Sequence, residues 1–300
     1  MSRLIKCKIM RNLVFSLIAV FSFAFVADKP AYMLFDKNGN IVQYATMIEQ
    51  LKNADIIFFG EQHNDPIAHW LQLEVTKSLF EIKKENMILG AEMFEADNQL
   101  ILDEFLSGTI NEKKFEDEAR LWPNYKTDYR PLVRFAKDNK LKFIAANIPR
   151  RYASLVADKG FEGLNSLSNE ALKFIAPIPI EYDPNLSCYK NMLNMGGMGK
   201  GSQSKMSMDN LPKAQAAKDA TMSYFILKNW SKGKLFIHYN GSYHSDNFES
   251  ILWYVKKQNP AIKMMTISSV TQSDIGKLND ENKNLGDFIL CVPENMTKTH

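Results

Sequence analysis

The sequence predicts an α/β fold in which helices flank a mostly parallel sheet, with a smaller helical cap domain beside it. Three observations carry this prediction: short apolar runs recur along the chain, a turn and a helical pattern follow each run, and 300 residues suffice for one such domain with insertions. Hydrophobic residues make up 45% of the chain and charged residues 24%, a globular composition that excludes a disordered or collagen-like protein.

The apolar runs are nearly continuous rather than alternating, which predicts strands that are covered on both faces. They cover 56–59, 87–89, 143–146, 235–237, 264–267 and 288–292. Residues 30–45 precede them and predict an N-terminal hairpin, because Asn38, Gly39 and Asn40 favour a tight turn.

Helical patterns fill the intervals between these runs. The longest covers 66–85, where Asp65 supplies an N-cap and Pro66 takes the first helical position. The others cover 129–139, 150–159, 213–230 and 245–258. On the helix over 213–230, Gln215, Asp219 and Met222 fall on one face, which simple amphipathic packing would also produce.

Two stretches, 96–125 and 160–212, interrupt the alternation. We expect them to pack together as helical cap insertions of a single domain over 28–300. The second stretch contains a tract over 192–208 with five methionines. Thioethers bind Cu(I) and can ligate haem, whereas the glycine and serine content favours a flexible flap.

The first 24 residues predict a secretory signal peptide. Four basic residues and no acidic one lie within the first eleven positions, and an apolar run over 12–27 follows, shorter than the about 20 residues of a membrane span. Ser22 and Ala24 are small and predict cleavage after Ala24 or Ala27. The nearest cysteine, Cys7, precedes the apolar run, so a lipid anchor is not supported. We expect an exported protein that is periplasmic or associated with the outer membrane.

The signal peptide also accounts for the basic character of the chain. Its removal lowers the count of Lys and Arg from 37 to 33, against 34 Asp and Glu, so the net charge changes from +3 to −1. The remaining basic residues are dispersed, so no nucleic-acid partner is expected. Cys188 and Cys291 remain after cleavage, and Cys291 lies in an apolar run and is expected to be a buried free thiol.

Polar side chains follow four of the predicted strands. Because ligands of open α/β sheets bind outside the carboxyl ends of the strands, we expect these side chains to share a pocket. Imidazole and carboxylate groups suit a divalent metal site or general acid–base catalysis. His63 lies just before a helix N-terminus, whose dipole predicts a neutral imidazole. The set comprises Glu61, His63, Glu92, Asn147, Arg150, Arg151, Tyr152, His238 and His244.

Six motifs in a fixed order resemble the ChaN-like haem-binding proteins, which belong to the wider Tiki and erythromycin-esterase-like superfamily. They are GEQHND at 60–65, GAEMFE at 90–95, Trp122 and Tyr125 before DYRPLVRFA at 128–136, ANIPRRYASLVADKG at 146–160, AQAAKDATM at 214–222 and HYNGSYH at 238–244. The resemblance covers roughly 45–275. It implies an α/β main domain with a smaller helical domain, a role in iron uptake, and haem bound at a dimer interface with its iron held by a tyrosine.

Haem binding is the first functional hypothesis. Tyr152 is the candidate axial ligand, because neighbouring cations favour a phenolate, and Arg150 and Arg151 can pair with the propionates. Tyr189, Tyr129 and Tyr243 are competing ligands. The expected partners are haem, a second copy of the chain and an outer-membrane haem uptake machinery.

Hydrolysis is the second hypothesis, and the sequence leaves open whether the chain is an enzyme. The resemblance implies catalytic roles for Glu61, His63, Glu92 and either His238 or His244, in some branches with a metal. A divalent ion, Zn, Mn or Co, would then bind His63, Glu92, His238 and His244, with Arg150 and Asn240 stabilising charge.

Overall fold

A seven-stranded sheet forms the centre of the fold in the computed structural model, which describes residues 29–195 and 208–300. The strands are β1 Met33–Asp36, β2 Ile56–Glu61, β3 Met87–Glu95, β4 Lys142–Asn147, β5 Leu235–Gly241, β6 Met264–Gln272 and β7 Phe288–Pro293. Their order across the sheet is β1-β7-β6-β2-β5-β3-β4. The predicted signal peptide over 1–24 and most of the tract over 192–208 lie outside the described residues.

The sheet is parallel except at one edge, where β1 runs antiparallel to β7. This confirms the predicted α/β class with a mostly parallel sheet. The carboxyl ends of β2, β5, β3 and β4 therefore lie side by side at one edge of the sheet, and the polar residues that the sequence places there are brought together.

Helices cover both faces of the sheet. They are α1 Tyr44–Leu51, α2 Pro66–Lys83, α3 Gln99–Ser107, α4 Glu112–Glu118, α5 Arg130–Asp138, α6 Arg150–Lys159, α7 Asn169–Leu172, α8 Ser187–Met195, α9 Leu211–Asn229 and α10 Ile251–Gln258. The predicted N-cap of α2 is present, because the Asp65 carboxylate accepts hydrogen bonds from the backbone N–H groups of Ile67 and Ala68, both at 3.0 Å.

Alternate residues of each central strand enter different apolar clusters, which is why the strands read as continuous apolar runs. In β2, Ile57 and Phe59 pack into a cluster with α1 to α5, and Ile56 and Phe58 pack into a second cluster with α9 and α10. A third cluster joins α6 and residues 161–180 to α9. The two faces together bury most of the apolar side chains of the sheet.

The predicted N-terminal hairpin forms only in part. Leu34 and Phe35 of β1 pair with β7, and the returning arm contributes a single bridge between Phe35 and Ile41 before α1 begins at Tyr44. The turn itself is tight, because the Asp36 carboxylate accepts from the backbone N–H groups of Asn38 and Asn40. The main pairing partner of β1 is therefore β7 of the central sheet rather than a second hairpin arm.

The helix predicted over 245–258 begins later, at Ile251. Asn247, Phe248 and Ser250 have φ values of +59°, +59° and +54°, which no right-handed helix accommodates. Tertiary bonds hold this segment out of the helix. The Asp246 carboxylate accepts from the Ser268 hydroxyl at 2.5 Å, and Glu249 accepts from the backbone N–H of Cys188 at 2.8 Å.

The two predicted insertions lie in different parts of the core among the described residues. Leu102, Phe105 and Phe115 from the first belong to the cluster of α1 to α5, whereas Leu164 and Ile175 from the second belong to the cluster of α6 and α9. The described residues from Tyr32 onward form one compact unit, and the described parts of both insertions belong to it.

Two further features concern the described residues. Cys188 and Cys291 are both buried and unbonded to each other, as predicted for the Cys291 thiol, and burial raises the pKa of Cys291 to about 12. Among the described helices, none has the length and apolar character needed to cross a bilayer.

Gly90 tests the packing of side chains on neighbouring strands, because Phe236 lies on β5 and Ile144 on β4. A Cβ at this position would lie 2.8 Å from Cζ of Phe236 and 3.3 Å from Cβ of Ile144. We expect Gly90→Ala to lower the free energy of unfolding by about 1–3 kcal/mol in urea denaturation, because neither neighbour can retreat in a packed core. Gly276→Ala is the control and should change it by less than about 0.5 kcal/mol. Equal effects of the two substitutions would contradict the close packing at Gly90.

Candidate functional site

Two adjoining cavities lie at the carboxyl edge of the sheet. The larger has a volume of about 590 Å³ and the smaller about 330 Å³. Both are lined by His63, Glu92, Gln215 and Lys218, so the two cavities share one group of polar side chains. The larger is further lined by Glu95, Leu121, Trp122, Pro123, Asn147, Ile148, Arg150, Ala153, Ser154, Ala157, Met192, Leu211 and Ala214.

Glu61, the last residue of β2, is a buried carboxylate with four side-chain partners. Its oxygens accept from the Tyr129 hydroxyl at 2.7 Å and the Gln72 amide at 2.6 Å, and lie 3.0 Å from Nδ1 of His63 and 3.3 Å from Nδ1 of His69. Burial alone would raise the pKa of Glu61, but the bonds to the two histidines and to Tyr129 lower it. The carboxylate therefore stays ionised although it is buried.

The imidazole of His63 extends from Glu61 toward the cavities. Its side chain is 43% exposed, and the ring packs edge-to-face on Trp122 with centroids 4.8 Å apart. Gly241 makes room for the ring, because a Cβ there would lie 2.8 Å from Nε2 of His63. Burial would lower the pKa of His63, but the hydrogen bond to Glu61 and the charges of Glu92 and Glu61 raise it. The two carboxylates thus shift the pKa of His63 in the direction opposite to the shift that the helix dipole favours.

A second layer holds Glu61 and His63 in place. His69 lies between Glu61 and Asp128, with Nε2 3.3 Å from the Asp128 carboxylate. Burial would lower the pKa of His69, but the hydrogen bond to Glu61 and the negative charges of Glu61 and Asp128 raise it to about 9. The Asn124 amide donates to the backbone oxygen of His63 at 2.8 Å and to Asp128 at 2.6 Å. The loop after β2 is thereby fixed by bonds to both its backbone and its side chains.

A second imidazole–carboxylate group lies across Gly241. His244 is buried between two carboxylates, with Nδ1 2.5 Å from Asp219 and Nε2 3.3 Å from Glu92. Burial would lower the pKa of His244, but the charges of Glu92 and Asp219 raise it to about 10. Glu92 also accepts from the backbone N–H of Gly241 at 2.8 Å. Burial would raise the pKa of Glu92, but the charge of His244 outweighs burial and lowers it.

Tyr189 supports the group formed by His244, Asp219 and Glu92, and it does not lie where a haem ligand is needed. Its side chain is fully buried, and its hydroxyl donates to the Asp219 carboxylate at 2.8 Å. Burial and the charge of Asp219 raise the pKa of Tyr189. A phenol in these surroundings keeps its proton and has no access to a planar cofactor.

His238 lies within β5 rather than after it, which corrects its predicted place beside His244. Its Nδ1 is 3.1 Å from Oδ1 of Asn240, and Nε2 is buried without a hydrogen-bond partner. Burial lowers the pKa of His238 to about 4, so this imidazole is neutral. It packs between Phe58 and Phe236 under the cavities.

The predicted metal set of His63, Glu92, His238 and His244 is not assembled. Among the described residues, no three His, Cys, Asp or Glu side chains form a cluster that fits a metal ion. The physical reason is that Glu92 and His244 already form an ion pair, and His238 bonds to Asn240 inside the sheet.

Arg150, Arg151 and Tyr152 begin α6 beside the larger cavity, and both arginines have acidic partners. Arg150 pairs with Glu95, and Arg151 pairs with Asp97 at 2.5 Å. The Arg151 guanidinium also donates to the Tyr152 hydroxyl at 3.2 Å and lies 4.4 Å from the centre of its ring. Arg150 contributes to the cavity lining, whereas Tyr152 lies outside that lining.

Several site residues were not singled out from the sequence. On α9, the sequence pattern places Gln215 and Asp219 on one helix face and assigns no role to Lys218. Of that face, Met222 packs in the core and the polar members reach the site. The sequence does contain a signal for Gln215 and Asp219, because a buried helix face that carries Gln and Asp at i and i+4 needs polar partners. The supports of Glu61, namely Gln72, His69 and Tyr129, had no such signal.

The fold and the site define an α/β protein with two imidazole–carboxylate groups beside a cavity at the carboxyl edge of a parallel sheet. The chain belongs to the family described as "Haem-binding uptake, Tiki superfamily, ChaN", whose model matches residues 47–255. This confirms the family that the sequence motifs resemble.

Solved structures and a curated relative extend the comparison. The structure described as "Cofacial heme binding to ChaN of Campylobacter jejuni" has a TM-score of 0.65 and 18% identity, and the match covers 86% of this chain and 96% of that chain. It supports the fold. The type III effector HopBA1 has a TM-score of 0.44 and 11% identity over 83% of this chain and 93% of that one, too low to support an inference.

The curated relative is "Protein RETICULATA-RELATED 5, chloroplastic" of Arabidopsis thaliana. It is 25% identical over 197 residues, which cover 62% of this chain. The chain spans 26% of that protein's length, so the relative is a much longer protein.

The His244 ion pairs predict a pH dependence of stability. Because the pKa of His244 is raised to about 10 in the folded protein from 6.5, its contribution is complete below pH 6.5 and is lost as the pH rises toward 10. The difference in unfolding free energy between wild type and His244→Gln should therefore shrink by roughly 2–3 kcal/mol between pH 7 and pH 10.5. Urea denaturation at each pH measures it, and a constant difference would contradict the ion-pair assignment.

Proposed function

We propose that this protein binds haem at the carboxyl edge of its sheet. The observation that carries the proposal is the cavity of about 590 Å³, which combines an apolar wall with cationic side chains. Membership of a family described as haem-binding supports it, and so does the fold shared with the Campylobacter jejuni ChaN, whose structure is described by its cofacial haem binding.

The residues of the cavity fit the chemistry of haem. Haem needs apolar surfaces for its macrocycle and cations for its propionates. Leu121, Trp122 and Ile148 offer such surfaces, and Arg150 and Lys218 offer the cations. The volume lies within the roughly 300–1,000 Å³ that is usual for ligand sites. Bound haem would supply a redox-active iron; the residues of the chain would exclude water from the ring and orient the propionates.

We propose Tyr152 as the iron ligand. His63 lines the cavity, but its raised pKa favours the imidazolium, which has no lone pair for iron. Tyr152 is half-buried, and its hydroxyl accepts a hydrogen bond from the guanidinium of Arg151 at 3.2 Å. We also propose that haem lies at a homodimer interface, as the family resemblance implies.

We further propose that the protein is exported and takes part in haem or iron acquisition, with an outer-membrane haem uptake machinery as its partner. The basic start and the apolar run over 12–27 support export. Mass spectrometry of the protein from a periplasmic fraction should find a mature N-terminus after Ala24 or Ala27. An intact N-terminus in the cytoplasmic fraction would contradict export.

A haemin titration tests the haem proposal. We expect the wild type to give a saturable Soret band together with a shift to a dimer in size-exclusion chromatography. Tyr152→Phe removes the phenolate and should weaken haemin binding by about tenfold or more, with loss of the electron paramagnetic resonance signature of a tyrosine-bound ferric iron.

Tyr224→Phe is the matched control, because Tyr224 is also half-buried and also outside the cavity lining, but it lies on α9 and does not adjoin Arg150 and Arg151 in the chain. Its spectrum and affinity should equal those of the wild type. No Soret band in the wild type would overturn haem binding, and an unchanged Tyr152→Phe spectrum would overturn Tyr152 as the ligand.

Acid–base hydrolysis is a second candidate function, and one specific observation favours it. Two imidazole–carboxylate groups, Glu61 with His63 and Asp219 with His244, flank Gly241 at the same cavities. The half-exposed His63 ring is the member that can exchange a proton with a bound molecule, and the buried Glu61 holds its orientation. The metal-dependent form of this hypothesis lacks a ligand cluster among the described residues.

A substrate panel of esters and amides tests the hydrolase proposal. We expect His63→Ala to lower any turnover by about 100-fold or more, since general acid–base catalysis contributes about that much. EDTA should leave the rate unchanged, and purified protein and His63→Ala should hold the same metal content. Wild-type turnover in His63→Ala, or none in the wild type, would remove this candidate.

A further inference from the structure

We infer that Lys218 and Asn147 form a carboxylate-binding subsite in the larger cavity and that it receives the propionate side of the porphyrin. This inference rests on the proposed haem binding. It differs from the sequence expectation, which assigned the propionates to Arg150 and Arg151.

Lys218 is the cation of the cavity that has no acidic partner. None of the ion pairs among the described residues includes it, although it lines both cavities. Its charge acts on Glu92, whose pKa it helps to lower. Glu92 itself is bonded to His244, which it shares with Asp219, and to the backbone N–H of Gly241 rather than to Lys218. The ammonium therefore keeps its capacity for an added anion.

Asn147 contributes an unused amide to the same cavity. It ends β4, is 8% exposed, and its Oδ1 is buried without a hydrogen-bond partner. A buried polar atom without a partner is costly, which marks Asn147 as a strained polar position in the cavity lining. The same amide carries two N–H donors, which suit a carboxylate oxygen.

The arginines of α6 are less available to the ligand. Arg150 is held by Glu95 and Arg151 by Asp97, while Arg120 bridges these two acids at 3.1 and 2.5 Å. To bind a propionate, each arginine would exchange one carboxylate for another and gain little. Lys218 gains a new ion pair beside the apolar wall formed by Trp122 and Ile148.

The cavity as a whole thus suits a flat, largely apolar molecule with a carboxylate at one end. Metal-free protoporphyrin IX is the appropriate probe, because it has the propionates of haem and makes no axial bond. Its dimethyl ester has the same ring without the negative charges. The difference between the two affinities isolates the carboxylate subsite from the axial ligand and from the apolar wall.

Porphyrin fluorescence titration of the purified full chain tests the inference. We expect Lys218→Met to weaken protoporphyrin IX binding by about tenfold and to leave the affinity for the dimethyl ester unchanged. Asn147→Ala should weaken the acid selectively by a smaller factor, and Lys218→Arg should retain most of the wild-type affinity. Lys228→Met is the matched control on the same helix, since Lys228 lines a different cavity, and it should behave as wild type.

The outcomes separate the two proposals. If haemin gives its Soret band but Lys218→Met binds the acid as the wild type does, or loses acid and ester equally, the subsite is wrong and haem binding stands. If neither haemin nor protoporphyrin IX binds to the wild type, the proposed function is wrong and the subsite with it.

Discussion

The buried carboxylate of Glu61 is the constraint on which the site depends. An ionised carboxylate inside a sheet is tolerated only when its oxygens are bonded, and the Tyr129 hydroxyl, the Gln72 amide and the two histidines supply those bonds. These partners come from α2, from the loop before it and from the turn before α5. One charge thus ties three chain segments to the end of β2 and fixes the position of His63.

Buried carboxylates on the other side of Gly241 are likewise stabilised by bonds to a histidine. Glu92 and Asp219 lie on either side of His244, so two buried acids share one imidazolium, and Glu92 also accepts from the backbone N–H of Gly241. Gly241 permits this arrangement because it has no side chain to exclude the His63 ring. The two imidazoles therefore approach one cavity from opposite sides without meeting. One is half-exposed and the other is buried.

Much of the fold followed from local patterns, and much of the site did not. The apolar runs predicted β2 to β7, and Asp65 with Pro66 predicted the start of α2. Both predictions succeed because burial on both faces of a strand and the capping of a helix depend on residues that are adjacent in the sequence. The positive φ values at Asn247 and Phe248 were not predictable, since bonds to β6 and α8 impose them.

The sequence by itself determined the fold class, the family and the strand-end position of Glu61, because periodicity, capping and motif order are local properties of the chain; Glu92, expected after a strand, lies within β3. Only the tertiary structure decided which groups are paired: it placed His238 inside β5, engaged Tyr189 with Asp219, and left Lys218 without an acid. The physical reason is that charge balance and desolvation depend on neighbours distant in sequence, and these neighbours meet only when helices from both faces pack on one sheet.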